Sequence, residues 1–180
     1  MKRSLVLASV ALLALACGSE PGAPESSNGS SSDGTPATWV LDADPGDAIS
    51  VLEAKDGEPG DTVRVVGRVS VLVPGHAAFR LVDEGLAYCG QVNKEDGCKT
   101  PWDYCCETPL MRSENTVYVE ARDESGETAA TSATGLRLLD LVVVEGTLAK
   151  DEAGNLTVVA TGWYRRARPA LPADVKWPTE

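Results

Sequence analysis

From Thr62 to Val73 the chain alternates in a period of two. Val63, Val65, Gly67, Val69, Val71 and Val73 fall on one parity, and Thr62, Arg64, Arg68 and Ser70 on the other. That pattern predicts a strand with one face buried. Gly67, in its middle, marks a place where a long strand bends or bulges. Pro74-Gly75-His76 reads as a turn into a second strand, Ala77 to Asp83, where Phe79 and Leu81 alternate with Arg80. A third strand, Thr116 to Arg122, sets Val117, Val119 and Ala121 on one face. Leu141 to Ala149 and Leu156 to Trp163 flank Asp151-Glu152-Ala153-Gly154-Asn155 and predict a hairpin. Upstream, Trp39-Val40-Leu41 is the first apolar cluster of the domain. Asp47 to Lys55 reads as a short helix or loop that Asp47 is placed to cap, with Ile49, Val51 and Leu52 turned toward the body of the fold. Residues 128–139 have no clean period; Leu136, Leu138 and Leu139 mark them as a short helix or a covering segment.

Five strands, a bent first strand containing glycine, a connection between the third and fourth, and a closing hairpin add up to a mainly β protein. The expected fold is a five-stranded OB-type Greek-key barrel. Closure removes the exposed edges that such Val-rich strands would otherwise present. A small open β-sandwich is the competing arrangement.

The residues before the barrel have a different character. Lys2 and Arg3 precede an apolar run, Leu5 to Ala16, broken only by Ser9. It is too short to span a bilayer and suits a secretory signal. The run ends in Leu13-Ala14-Leu15-Ala16-Cys17, which resembles the lipobox of bacterial lipoproteins. That resemblance implies cleavage before Cys17, diacylation of its sulfur and acylation of the new amine. Gly18, where Asp would retain the product at the inner membrane, points to the outer membrane. Residues 18–36 contain thirteen Gly, Ser or Pro among nineteen, a composition that cannot bury enough surface to fold. As a flexible coil this tether reaches roughly 25 Å. The organisation expected is therefore a signal peptide over 1–16, a lipidated Cys17 with its tether over 17–36, an OB-like domain over 37–168 and a Pro-rich tail over 169–180. Globomycin treatment or Cys17→Ala is expected to change the mature mass and to release the protein from membranes. A soluble product of unchanged mass would remove the anchor.

Between the second and third strands, Glu84 to Asn115 run without periodicity. Loops longer than about 15 residues are uncommon in compact domains unless something holds them. This one contains Cys89, Cys98, Cys105 and Cys106. In an oxidising compartment the four make two disulfides. A Cys105–Cys106 bond strains the peptide between them. That leaves Cys89–Cys105 with Cys98–Cys106, or Cys89–Cys106 with Cys98–Cys105. The alternative is a four-thiolate site for one zinc, copper or iron ion, or thiol-redox chemistry at Cys105-Cys106. Adjacent cysteines point apart in extended backbone, so a metal site would need a turn at that dipeptide. Thr100-Pro101-Trp102-Asp103-Tyr104-Cys105-Cys106-Glu107 resembles the hallmark of an uncharacterised family of exported bacterial lipoproteins with an OB-like barrel. The resemblance covers roughly Gly60 to Arg166 and implies that fold, but no activity. Trp102 and Tyr104 offer either a ligand platform or a miniature core beneath the loop, and Asp103 a cap for its turn.

The formal net charge is -11, from 16 basic and 27 acidic residues, which opposes broad binding to phosphate backbones. A single histidine, His76, excludes any site built on two imidazoles. OB barrels bind oligonucleotides or oligosaccharides on the face of their second and third strands. Here that face carries Arg80, Tyr118 and Arg122, with Arg64 and Arg68 on the first strand; the plainer reading pairs these arginines with neighbouring acids. Arg165, Arg166 and Arg168 mark the exit from the last strand. The function expected is a membrane-anchored extracytoplasmic binding or interaction module for a protein, glycan or small ligand, without a cofactor. Metal-binding or thiol-redox activity at Cys89, Cys98, Cys105 and Cys106 is the alternative.

Overall fold

The computed structural model describes residues 39–92, 98–151 and 153–170. The expected signal peptide, Cys17 and its tether lie outside these residues, as does most of the Pro-rich tail. The elements are β1 (Ile49–Ser50), α1 (Val51–Lys55), β2 (Thr62–Leu72), β3 (Ala78–Val82), α2 (Cys89–Val92), α3 (Pro109–Glu114), β4 (Thr116–Ala121), β5 (Leu141–Lys150) and β6 (Leu156–Ala167). None of the described helices is long and apolar enough to cross a membrane.

The sheet runs β1-β2-β3-β4-β6-β5, and β5 returns to pair with β2. Strands β2 to β6 therefore form a closed five-stranded barrel of OB type, with β1 added in parallel to β2. The β4–β6 pair is parallel, while β2–β3, β3–β4, β5–β6 and β2–β5 are antiparallel. Strand β2 is long because it serves two neighbours. Thr62 to Arg68 pair with β5, and Arg68 to Leu72 with β3. Gly67 stands at the handover. A Cβ there would lie 2.6 Å from the Val82 carbonyl oxygen and 2.8 Å from Leu81 Cγ, so only glycine lets β3 approach this closely.

The core is the inward face of the strands: Val65, Val69, Phe79, Leu81, Val117, Val119, Val142, Val144, Leu148, Val158 and Trp163, the last brought inward by a register shift between Ala160 and Gly162 of β6. Val51 and Ala54 of α1 enter it, as do Ala129, Ala133 and Leu136. Residues 128–139 thus form a covering segment without helix, tied on by Ala77 N–H to the Ala129 carbonyl and Trp163 Nε1–H to the Thr134 carbonyl.

Three expectations are corrected here. A bulge between Val69 and Val71 inverts the alternation, because an extra residue shifts all later side chains to the other face. Val71 and Val73 are consequently 40% and 41% exposed, and Leu72 packs on the core instead. Ser50, not Asp47, caps α1: its hydroxyl accepts from Glu53 N–H, and the Glu53 carboxylate accepts from Ser50 N–H. This reciprocal box turns Val51 and Ala54 inward and leaves Ile49 and Leu52 exposed. Finally, β6 continues to Ala167, so Arg165 and Arg166 belong to the strand.

Candidate functional site

The cysteine loop is anchored at its base by Asp83 and Asn115. Asp83 N–H donates to the Asn115 carbonyl at 2.9 Å, extending the β3–β4 ladder. The Asp83 carboxylate, 5% exposed, accepts from Gly85 N–H at 2.8 Å and from Leu52 N–H at 3.2 Å. Above this base a second small core gathers Val82, Leu86, Tyr104 and Leu139, with Tyr88 and Trp102 against it. Tyr104 and Trp102 therefore sit in the miniature core. Burial is the main reason the Tyr104 phenol is pushed far above its ordinary pKa.

The octapeptide is a pair of consecutive turns. Asp103 N–H donates to the Thr100 carbonyl at 2.9 Å, and Glu107 N–H to the Tyr104 carbonyl at 3.0 Å. Asp103 Oδ1 accepts from Tyr104 N–H between the two turns, and Thr108 then caps α3 by accepting from Met111 N–H. Against the first turn lies the start of α2, where Cys89 N–H donates to the Asp103 carbonyl at 2.7 Å and Gly90 N–H to the Pro101 carbonyl at 2.8 Å. A Cβ on Gly90 would lie 3.0 Å from that carbonyl oxygen and 3.3 Å from the Tyr88 ring, so a side chain would push α2 off the turn.

In the second turn Cys105 and Cys106 occupy the two central positions, and this folds both thiols onto one side. Their sulfurs and that of Cys89 lie within 4.8 Å of one another, and Cys89 Sγ is 3.2 Å from Cys105 Sγ. Cys89 is buried, while Cys105 and Cys106 face solvent. Cys98 stands outside this triangle, with its sulfur 3.8 Å from Thr100 Oγ1. All four are thiols in this structure. Burial opposes a thiolate at Cys89, yet hydrogen bonds from the Cys106 and Cys105 thiols and from both their backbone amides hold its pKa below the ordinary value. The hydrogen bond to Cys89 is in turn the largest reason Cys105 is pushed up to about 12. Cys89 and Cys105 thus share a proton, with negative charge favoured on the buried member. His76 is exposed in the β2–β3 turn, its Nδ1 3.2 Å from the Pro74 carbonyl, and does not join the sulfurs.

The arginines divide by environment. Arg64 pairs with Glu145 at 2.7 Å and Arg122 with Glu120 at 2.6 Å, as the plainer reading expects. Arg68 lies over the Tyr88 ring, 5.9 Å from its centroid. Arg80 and Tyr118 are register partners across β3 and β4, and the guanidinium sits 5.1 Å from the ring centroid.

That Arg80–Tyr118 stack lines a groove of about 540 Å³ together with Lys55, Arg112, Lys150 and Asn155. Among the described residues, none of its four cations has a carboxylate within ion-pairing distance. The groove continues along the sheet past Val71 and Val73. The β2 bulge therefore supplies its apolar floor, a link the alternation of the sequence conceals. A larger hollow, about 630 Å³, lies between Asp47–Ile49, β2 and β5; its chemistry reduces to the Arg64–Glu145 pair.

No protein-family model and no curated protein matches the chain in sequence.

Proposed function

We propose that the chain is a lipid-anchored extracytoplasmic binding module whose OB barrel takes an anionic oligosaccharide in the Arg80–Tyr118 groove. The carrying observation is the convergence there of Lys55, Arg80, Arg112 and Lys150 around an exposed aromatic ring. These are four of only 16 basic residues in a chain of net charge -11. The part of the groove that holds these cations is lined by no carboxylate, while Glu120 and Asp151 line its extension along the sheet; a surface of one sign focuses field lines and draws in the opposite charge, and Tyr118, 43% exposed, offers a face on which a sugar ring stacks. The location on the second and third barrel strands, bordered by the β5–β6 turn, is where OB barrels hold oligomeric ligands. The lipobox-like residues ending at Cys17 support export and a membrane partner, with the module facing the periplasm or the cell surface on its tether. That address favours a glycan over a nucleic acid.

The test is equilibrium binding of an oligogalacturonate, of a neutral oligosaccharide of equal length and of a single-stranded oligonucleotide. The acidic glycan is expected to bind best, with affinity falling as salt rises. Arg80→Glu and Tyr118→Ala are each expected to weaken binding about tenfold or more. Equal binding of the neutral sugar, or indifference to both substitutions, would end the proposal; tighter oligonucleotide binding would replace the glycan by a nucleic acid.

A further inference from the structure

The sulfurs of Cys89, Cys105 and Cys106 are brought together by two different parts of the loop. Cys89 opens α2, and the other two occupy the corner of the Tyr104–Glu107 turn. Neighbouring cysteines in extended backbone diverge; this turn is what makes them converge. We infer that Cys89, Cys105 and Cys106 form a three-thiolate site for a soft cation, Cu(I), with Cys98 taking no part.

Two features of the geometry carry the inference. First, the donor set is sulfur alone: no imidazole or carboxylate of the described residues joins the trio. Soft thiolates select soft ions, and hard cations prefer oxygen. Second, the spacing fits. Bonds of about 2.3 Å to an ion in the plane of three sulfurs set them about 4 Å apart. Separations of 3.2 Å and up to 4.8 Å reach that value by side-chain adjustments of under about 1 Å.

The arrangement also explains the access route. Cys89 is 1% exposed, whereas Cys105 and Cys106 face solvent. An ion arriving from outside meets the exposed pair first and closes onto the buried sulfur. Tyr104, held in that core, fixes the turn from below. The inference stands apart from the Arg80–Tyr118 groove, which shares no residue with the trio.

The test is titration of the reduced mature chain with Cu(I) without oxygen, in competition with a chromophoric Cu(I) chelator. One ion per chain is expected, with thiolate-to-metal charge-transfer absorption. Cys89→Ser and Cys106→Ser should each lose more than about 100-fold in affinity, the upper range for disturbing an outer shell alone. Cys98→Ser should stay within about threefold of the parent. Far-ultraviolet circular dichroism and an unchanged oligosaccharide titration confirm that each variant keeps its barrel. Failure of the reduced, folded chain to take Cu(I) overturns the inference. So does an equal loss in Cys98→Ser, which would make the site four-coordinate, or uptake insensitive to Cys89→Ser. A chain isolated with Cys89 in a disulfide and inert to Cu(I) after reduction gives the trio to the disulfide framework instead.

Discussion

Replacing Arg168 by methionine is expected to lower the unfolding free energy by about 3–5 kcal/mol, the usual cost of stripping a buried charge of its partner. Asp140 is wholly buried. Its carboxylate accepts Arg168 Nε–H at 2.7 Å on one oxygen and Nη2–H at 2.6 Å on the other. Among the described residues its remaining contact is Arg137 N–H at 2.9 Å, too little to solvate a charge. The effect should spread, because Val69 N–H donates to the Asp140 carbonyl and Leu139 N–H to the Val69 carbonyl. Leu139 in turn sits in the small core under the cysteine loop. Arg168→Lys should recover only part of the loss, since an ammonium cannot reproduce the two-pronged contact. Urea unfolding measures both; a loss below about 1 kcal/mol for Arg168→Met would show that the pair is not what holds this corner.

Trp163→Ala is expected to cost about 3–5 kcal/mol as well, through lost burial and the cavity left behind. Trp163 is 1% exposed and is the largest fully buried side chain. Its ring meets Phe79 edge-on at 5.5 Å between centroids and stacks on Trp39 at 6.1 Å. Its backbone receives Leu41 N–H and donates to the Trp39 carbonyl. Removing the ring therefore loosens the barrel interior and the incoming segment at once. Trp163→Phe keeps an aromatic edge against Phe79 and should cost less than half as much. Denaturant unfolding of both variants decides this. Equal losses would assign the effect to the Nε1–H bond to Thr134, 3.4 Å long, rather than to packing.

The strands were legible because one face of each is buried and the other wet. Phe79 and Leu81, and Val117, Val119 and Ala121, lie inward as their alternation says. The glycine expected to mark a bend does so, since Gly67 sits where β2 changes partners. What escaped is what alternation cannot encode. A bulge at Ser70 is a backbone event with no residue signature there, and it moves Val71 and Val73 from core to groove. Arg165, Arg166 and Arg168 read as a polar exit because their acceptors are remote in sequence: Gly135, Asp44 and Asp140. Ser50 lost to Asp47 as a cap although Glu53, three residues on, completes its box; that signal was present.

The cysteine loop was legible in part. Its cysteine content and the packing of Trp102 and Tyr104 beneath it follow from composition and length. The split of the four sulfurs into three and one does not, because it depends on the turn that places Cys105 and Cys106 at one corner. The groove was half visible: Arg80 and Tyr118 share a strand face, but Lys55, Arg112 and Lys150 come from α1, α3 and the end of β5.

Amide chemical-shift mapping of the chain during titration with an acidic oligosaccharide tests the functional reading most directly. Perturbations should cluster on Arg80, Tyr118, Lys150, Asn155 and the first turn of α3. Perturbations confined to the hollow beside Arg64 and Glu145, or none at all, would contradict it.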